Sequence, residues 1–326
     1  MKKIKKYQLI QDLLNQGLDY PKFTRRLASI RNSVDYSTLL EIVENFVKRS
    51  PIFKEYMFGT IFPNDSNALG GSRDFFLKPS SVESEISWIS LQIKYNKEKI
   101  QFFVSKKKMF EHLFLHGRYS EALNILENVR KELGVSIWYY ESKLLLYEYS
   151  NRTDDKFLLL SDINEKQGET HAGFVTSILH FISYRTARNL SAYKYDLDLQ
   201  NCFQRNRTDF QKSNCDYFLF KLNYFKHYNI DDFKTIFAFE NTNSLVDRYL
   251  TLIYLMQTMY IHGNNDEYIA NRALYLYSKT KDIMWIPLFA LVYPERIPDV
   301  YFDFEYLDIL DNYYSGEYDK VVNLSK

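Results

Sequence analysis

Apolar residues recur at spacings of three and four positions along most of the chain, which is typical of amphipathic α-helices. In residues 82–94, for example, Ile86, Ile89 and Ile93 share one helical face. No stretch alternates between apolar and polar residues for long, as a half-buried strand would. The pattern therefore predicts an all-α protein, with further helices at 106–116, 119–133, 137–149, 155–166, 171–189, 197–203, 210–227, 231–239, 244–262, 266–279, 285–292 and 304–314.

The first 62 residues read as several short helices, and we interpret them as a small N-terminal helical domain. Tyr20-Pro21 opens one helix with proline in its first turn, and Asp35 or Ser37 caps the next one. Turn residues cluster between Pro63 and Ser81, where the periodicity vanishes. We therefore predict a linker loop at 63–81 and a helical array at 82–326.

Composition supports helices over sheets. The chain of 326 residues has 10 glycines and 7 prolines, whereas average usage would give about 23 and about 16. Tight turns between strands need those residues, while short polar loops between helices do not. The 28 tyrosines and 25 phenylalanines accompany frequent Lys, Asn and Ile, which we attribute first to AT-rich coding and to core packing, with an aromatic binding surface as the sharper alternative.

The chain also carries the features of a cytoplasmic protein. Cys202 and Cys215 do not make a disulfide framework or a metal spacing, and we expect buried thiols in a reducing compartment. The basic start is not followed by the apolar stretch of a signal peptide. No segment approaches the roughly 20 apolar residues of a membrane span, so we expect no membrane association.

Short sequence elements recur between the predicted helices. Residues 116–123 read His-Gly-Arg-Tyr-Ser-Glu-Ala-Leu, and residues 315–322 read Ser-Gly-Glu-Tyr-Asp-Lys-Val-Val. The matching positions are Gly117, Tyr119 and Ala122 in the first element and Gly316 and Tyr318 in the second. Residues 137–168 make a further unit of roughly 34 residues, although its turn at 150–155 has neither the glycine nor the alanine.

These turns resemble those of tetratricopeptide repeats. In that family a small residue ends the first helix, an aromatic residue packs under the turn, and a second small residue lets the next helix approach. The resemblance covers parts of residues 82–326 and implies a solenoid of stacked hairpins with a long inner groove. It also implies peptide or protein binding. Because the last helix stops at Lys326 without a polar cap, we expect the array to be incomplete or covered by another chain at that end.

Candidate chemistry is sparse. His112 and His116 have a spacing that can hold a metal, but no third ligand is evident, and we interpret them as surface or capping histidines. The carboxylate pairs at 154–155 and 231–232 precede predicted helices, where the helix dipole stabilises acids. No nucleophile elbow, catalytic triad order or dinucleotide fingerprint occurs. We therefore predict no enzymatic activity and no cofactor.

The N-terminal segment is the one strongly basic region. Residues 1–60 carry eleven Lys and Arg against six Asp and Glu, while the whole chain has a net charge of +1. Basic clusters are what phosphate contacts need. The candidate interaction residues are Lys22, Arg25 and Arg26, and also Lys106, Lys107 and Lys108, which we predict to open a helix.

The favoured hypothesis is a non-catalytic interaction scaffold that serves as one subunit of a larger assembly. A bacterial defence or toxin-regulating complex fits the AT-rich bias. We expect a protein partner or a homo-oligomer. The alternative is a nucleic-acid-binding regulator that uses the basic region 1–60, with the repeats as a sensor or dimerisation domain, although no clear helix-turn-helix can be placed there.

Overall fold

The computed structural model of the chain describes residues 20–31, 33–47, 57–59, 61–70, 81–167, 173–205, 212–222, 228–262 and 266–298. These residues form helices and contain no strand, which confirms the all-α prediction for this part of the chain. The helices are α1 (Tyr20–Arg31), α2 (Tyr36–Val47), α3 (Val82–Tyr95), α4 (Lys97–Leu115), α5 (Tyr119–Leu133), α6 (Ile137–Tyr149), α7 (Thr153–Gln167), α8 (Gly173–Arg185), α9 (Ala192–Arg205), α10 (Lys212–Lys221), α11 (Asp232–Glu240), α12 (Leu245–Ile261), α13 (Asp266–Thr280) and α14 (Pro287–Ala290).

The start of α2 decides between the two predicted caps. Asp35 is the capping residue, because its Oδ1 accepts a hydrogen bond of 3.0 Å from the backbone N–H of Thr38. Hydrogen bonds from the Ser37 hydroxyl and from Thr38 lower the pKa of Asp35 to about 2. The carboxylate therefore stays ionised and satisfies a backbone donor that the helix itself leaves unpaired.

Two consecutive helical hairpins, α4–α5 and α6–α7, share one turn geometry. Gly117 and Asn151 lie 34 positions apart in the sequence, and both have positive φ, +70° and +58°. After each of them an arginine N–H closes the helix end: Arg118 N donates to Leu113 O at 2.9 Å, and Arg152 N donates to Tyr147 O at 2.8 Å. Asparagine adopts the left-handed conformation more readily than other non-glycine residues do, so it takes the place of glycine in the second turn.

The buried positions of these hairpins repeat at the same interval of 34 residues. The pairs are Phe110 and Leu144, Leu113 and Tyr147, Leu126 and Leu160, and Val129 and Ile163, and all eight side chains are buried. The second hairpin has Lys156 where the first has the buried Ala122. The Lys156 Nζ donates to Glu148 Oε2 at 2.7 Å and to Ser183 O at 3.1 Å, which accommodates the larger side chain.

Several predicted helix boundaries were wrong, among them the start of α9, which lies at Ala192 rather than at residue 197. α4 begins at Lys97 rather than at residue 106, so Lys106, Lys107 and Lys108 lie in the middle of a helix and do not open one. The predicted helix at 285–292 is a 3₁₀ turn at Ile283–Trp285 followed by the single helical turn of α14. Asn96 separates α3 from α4, and its Nδ2 donates to Gln92 O at 2.8 Å.

The C-terminal helices pack back on the first helices of the array. α12 contacts α3 and α6, and α13 contacts α3 and α4. Three aromatic rings mark the junction: the Phe103 ring lies 4.9 Å from that of Trp138 and 6.3 Å from that of Tyr249, both edge-on. The side of the hairpins formed by α4 and α6 is therefore covered by the chain itself.

The segment 61–70 joins two helix junctions that are far apart in sequence. Pro63 O accepts a hydrogen bond of 2.7 Å from Val135 N, between α5 and α6. Ile61 O accepts one of 2.8 Å from Leu245 N, at the start of α12. The linker predicted at 63–81 is thus tied to the helices in its first part, and the division of the chain into domains at this point stays a prediction.

Several predictions fall outside the described residues. They include the parts of the predicted N-terminal helical domain at 1–19 and 48–56, the helix at 304–314, and the repeat residues Gly316 and Tyr318. The side chains of Cys202 and Cys215 also lie outside the described part.

Candidate interaction surface

Three of the turn residues singled out in the sequence, Gly117, Tyr119 and Ala122, lie at the junction of α4 and α5. Ala122 is fully buried under the turn, and its N–H donates to Arg118 O at 3.0 Å. The Tyr119 ring packs 5.7 Å from the Phe114 ring, at the end of α4. Gly117 is exposed, and a Cβ placed there would meet nothing within 4 Å. These residues shape the hairpin and leave the turn accessible from outside.

The candidate basic residues lie on two helices. Lys22 and Arg25 are exposed on α1, and Arg26 is partly buried beside them. On α4, Lys107 Nζ pairs with Glu111 Oε1 at 2.6 Å, and Lys106 Nζ lies 5.6 Å from the centre of the Phe102 ring. Lys108 is exposed. The two groups therefore belong to separate helices, α1 and α4.

The candidate metal and acid residues make local contacts. The ring centres of His112 and His116 lie 4.2 Å apart with the rings tilted by 37°, and His116 Nδ1 lies 2.7 Å from His112 O. Asp155 accepts a bond of 2.6 Å from Arg152, and Asp231 one of 2.7 Å from Lys234, whose hydrogen bond lowers the pKa of Asp231. Over the described ranges, no three His, Cys, Asp or Glu side chains are grouped so as to hold a metal ion.

A buried set of charged and polar side chains, which the sequence analysis missed, lies where α3, α10 and α12 meet. Glu240, at the end of α11, is fully buried and accepts hydrogen bonds from Tyr217 Oη at 2.7 Å and Lys221 Nζ at 2.8 Å. Asn243 Nδ2 donates to the same tyrosine oxygen, and Asn243 Oδ1 accepts from Gly70 N at 3.0 Å. We call these side chains the polar core cluster, together with the following residues: Glu85, Gln92, Asp247 and Arg248.

Two members of the polar core cluster tie elements together through backbone groups. Asp247, on α12, accepts bonds of 2.9 Å from Ile137 N and 3.0 Å from Trp138 N, and so caps the start of α6. Arg248 donates to Asn243 O and, at 3.2 Å, to Gln92 Oε1 on α3. Burial raises the pKa of Asp247 to about 6 and lowers that of Arg248 to about 10. These bonds position helices, and all the side chains in them are shielded from solvent.

The outer side of α7 has a different character. Phe157 and Leu158 are 68% and 67% exposed, while Leu160 and Ile163 on the opposite side are buried. Three carboxylates lie on the same side of the helix as Phe157 and Leu158, because an α-helix turns by about 100° per residue. They belong to Asp154, which lies four positions before Leu158, and to Asp162 and Glu165, which lie four and seven positions after it. We define the α7 outer face as this surface, which consists of Asp154, Phe157, Leu158, Ser161, Asp162 and Glu165, all exposed.

The α7 outer face has a signal in the sequence that the periodicity analysis passed over. Residues 157–160 read Phe-Leu-Leu-Leu, and a helix with 3.6 residues per turn cannot turn four consecutive side chains inward. The flanking Asp154, Asp162 and Glu165 indicate which side faces water. Large apolar side chains that stay exposed among polar ones are typical of interaction sites.

Comparison of the chain with protein-family models, with curated protein sequences and with solved structures gave no match. The resemblance of the turns to tetratricopeptide repeats stays a prediction. None of the helices within the described ranges has the length and apolar character needed to cross a membrane.

Proposed function

We propose that this chain is a non-catalytic scaffold that binds a protein partner through the outer surface of its hairpins. The observation that carries the proposal is the set of large apolar side chains left exposed there. Leu115 is 80% exposed at the end of α4, and Phe157 and Leu158 are about two-thirds exposed on α7. Exposed aromatic and aliphatic residues are enriched at the centres of protein interfaces.

The family resemblance belongs to the same proposal. We infer that α4–α7 are two tetratricopeptide-like repeats, because their turns and buried positions recur at an interval of 34 residues. The first helices of both repeats pack against α12 and α13. A groove along α4 and α6, of the kind an open solenoid offers to peptides, is thus occupied, and the outer surface is what a partner can reach.

The test is affinity purification of the tagged full chain from its native host, followed by mass spectrometry with and without nuclease. We expect a protein to co-purify in stoichiometric amount and to survive nuclease. A chain that emerges alone contradicts the scaffold proposal. A chain that emerges only with nucleic acid supports instead the regulator that uses residues 1–60, and retention on DNA should then be lost in the triple variant Lys22→Ala, Arg25→Ala, Arg26→Ala.

A further inference from the structure

We propose that the α7 outer face docks a cationic amphipathic helix of the partner protein. This inference rests on the scaffold function proposed above and names the surface and the chemistry of the partner. Phe157 and Leu158 would contact the apolar stripe of that helix, and Lys or Arg side chains beside the stripe would face the carboxylates of Asp154 and Glu165.

The two large apolar side chains of the face contribute little to packing within the folded monomer. An exposed Phe and an exposed Leu, adjacent in sequence, each leave most of their surface in water. Fully burying such a side chain contributes about 1.5–3 kcal/mol. A partner helix packs its side chains into the spaces between residues three and four positions apart, which is the spacing that the α7 outer face presents.

The charge of the face selects the partner. Within residues 153–165 the structure describes four carboxylates, those of Asp154, Asp155, Asp162 and Glu165, and one ammonium group, that of Lys156. The Lys156 ammonium is turned away, since it pairs with Glu148 and donates to Ser183 O. Of the four carboxylates, Asp155 is paired with Arg152, and Asp162 also has an interaction partner. Asp154 and Glu165 are both exposed and place negative charge on either side of the two apolar residues along the helix.

This charge disfavours the other occupants. Two copies of the chain that packed α7 against α7 would bring like charges together, which is unfavourable at an isologous interface. Nucleic acid and anionic lipid carry the same sign as the face. A cationic helix gains from both the apolar contacts and the carboxylates, which also accelerate its association.

The test uses the full chain and a fluorescent 14-residue peptide of leucine and lysine, arranged so that the leucines form one helical stripe. We expect saturable binding that weakens as salt rises, and at least tenfold weaker binding in the double variant Phe157→Ser, Leu158→Ser. A peptide with glutamate in place of lysine should not bind. The matched control is Leu291→Ser, because Leu291 is 81% exposed elsewhere on the molecule and its replacement should leave the dissociation constant within about twofold.

A second variant separates charge from apolar contact. Asp154→Asn with Glu165→Gln should weaken binding of the leucine–lysine peptide and reduce its salt dependence, and the thermal transition should fall by only a few degrees, because Asp154 lies in the first turn of α7. The inference is overturned if the peptide does not bind, if the double apolar variant binds as tightly as the natural chain, or if the glutamate peptide binds equally well.

The same double variant separates this inference from the scaffold proposal. If the natural chain retains a partner in the host purification and Phe157→Ser, Leu158→Ser retains it equally, the scaffold stands and the α7 outer face is not its docking site. If the natural chain retains no protein, the scaffold proposal itself fails. Loss of the partner in the double variant alone supports both.

Discussion

At the scale of single residues, two glycines with nearly the same φ have different structural roles. Gly117 and Gly134 have φ of +70° and +69°. A Cβ on Gly117 would meet nothing within 4 Å, whereas one on Gly134 would lie 2.0 Å from Pro63 O. Two constraints therefore require glycine at position 134: the positive φ of its backbone and the close approach of the segment 61–70.

We expect Gly134→Ala to lower the free energy of unfolding by several kcal/mol, because backbone must move to admit the methyl group. Gly117→Ala is the matched control and should cost about 1–2 kcal/mol, the ordinary cost of a left-handed conformation for alanine. Urea denaturation of both variants measures the difference. Equal losses would contradict a steric role for the contact with Pro63.

The repeated turn leads to a second prediction at this scale. Gly117→Asn should change the free energy of unfolding by less than about 1 kcal/mol, because Asn151 occupies the equivalent place in the next hairpin. Gly117→Val should lower the free energy of unfolding clearly more than Gly117→Asn does, since a β-branched side chain is strained at positive φ. Thermal denaturation compares the two, and a loss for Asn as large as that for Val would show that the turns are not equivalent.

Asp247 gives a prediction of pH dependence. Its pKa in the folded protein is raised to about 6 by burial, from 3.8. A carboxyl whose pKa is higher in the folded state favours folding at low pH, and this contribution is lost as the pH rises from about 4 to about 6. In Asp247→Asn the side chain does not titrate. The stability of the natural chain relative to this variant should therefore increase as the pH falls from 7 to 4, and a difference that stays constant would contradict the raised pKa.

At the scale of elements, the polar core cluster fixes where helices meet. Glu240 is fully buried, and Lys221, with its side chain 12% exposed, is its ion-pair partner. Burial acts to lower the pKa of Lys221, but the Glu240 carboxylate raises it above its usual value. A buried pair of this kind adds little net stability, but each partner is needed once the other is present.

We expect Lys221→Met to lower the free energy of unfolding by about 3–5 kcal/mol, because it leaves the Glu240 carboxylate buried with Tyr217 as its remaining side-chain donor. The control is Arg118→Met, which removes an exposed ion pair with Glu121 at 2.5 Å and should have no measurable effect. The further change Glu240→Gln in the Lys221→Met background should restore part of the lost stability. No recovery would argue against an uncompensated charge as the cause.

Helix positions were predictable where the local pattern was clean. α5 and α6 have the predicted bounds, because Gly134 and Ser136 end one helix and cap the next. The start of α4 was missed because the predicted break at residue 106 relied on three lysines that in fact lie along a continuous helix. The turn at Asn151 was interpreted as a departure from the repeat pattern because glycine was expected there. Asparagine also adopts the positive φ that this turn requires.

Tertiary contacts left no comparable trace in the sequence. Nothing in the periodicity of residues 82–94 indicates that α3 packs against α12, since a helical pattern reports that a face is buried and not what buries it. The same holds for the α7 outer face: the run at 157–160 shows that some apolar side chains must point outward, but only the packing of α6 and α8 against α7 shows which ones.

At the scale of the whole molecule, we expect these long-range contacts to make the described helices one cooperative unit. The buried apolar side chains form a continuous cluster from Phe23 to Phe289. An open array of repeats contacts its neighbours alone and can lose its ends stepwise. Here α12 connects α3 with α6, so the hairpins and the C-terminal helices should unfold together.

We expect urea unfolding followed by tryptophan fluorescence and by circular dichroism to give coincident transitions. The three tryptophans report on separate places, since Trp88 lies on α3, Trp138 on α6 and Trp285 before α14. The fragment 97–167, which contains both hairpins, should by itself lack a cooperative transition, because the helices that cover α4 and α6 are missing. A stably folded fragment would contradict this view and favour an autonomous repeat array.

The return of α12 to α3 also has a consequence for how the chain is made. About 150 residues separate the end of α3 from the start of α12, and at roughly 5–20 residues per second a ribosome needs about 8–30 s to synthesise them. During that time the apolar side of α3, with Ile86, Ile89 and Ile93, has no native cover from α12. Nascent-chain chaperones that bind apolar segments should therefore occupy this helix first and release it after α12 has left the ribosome.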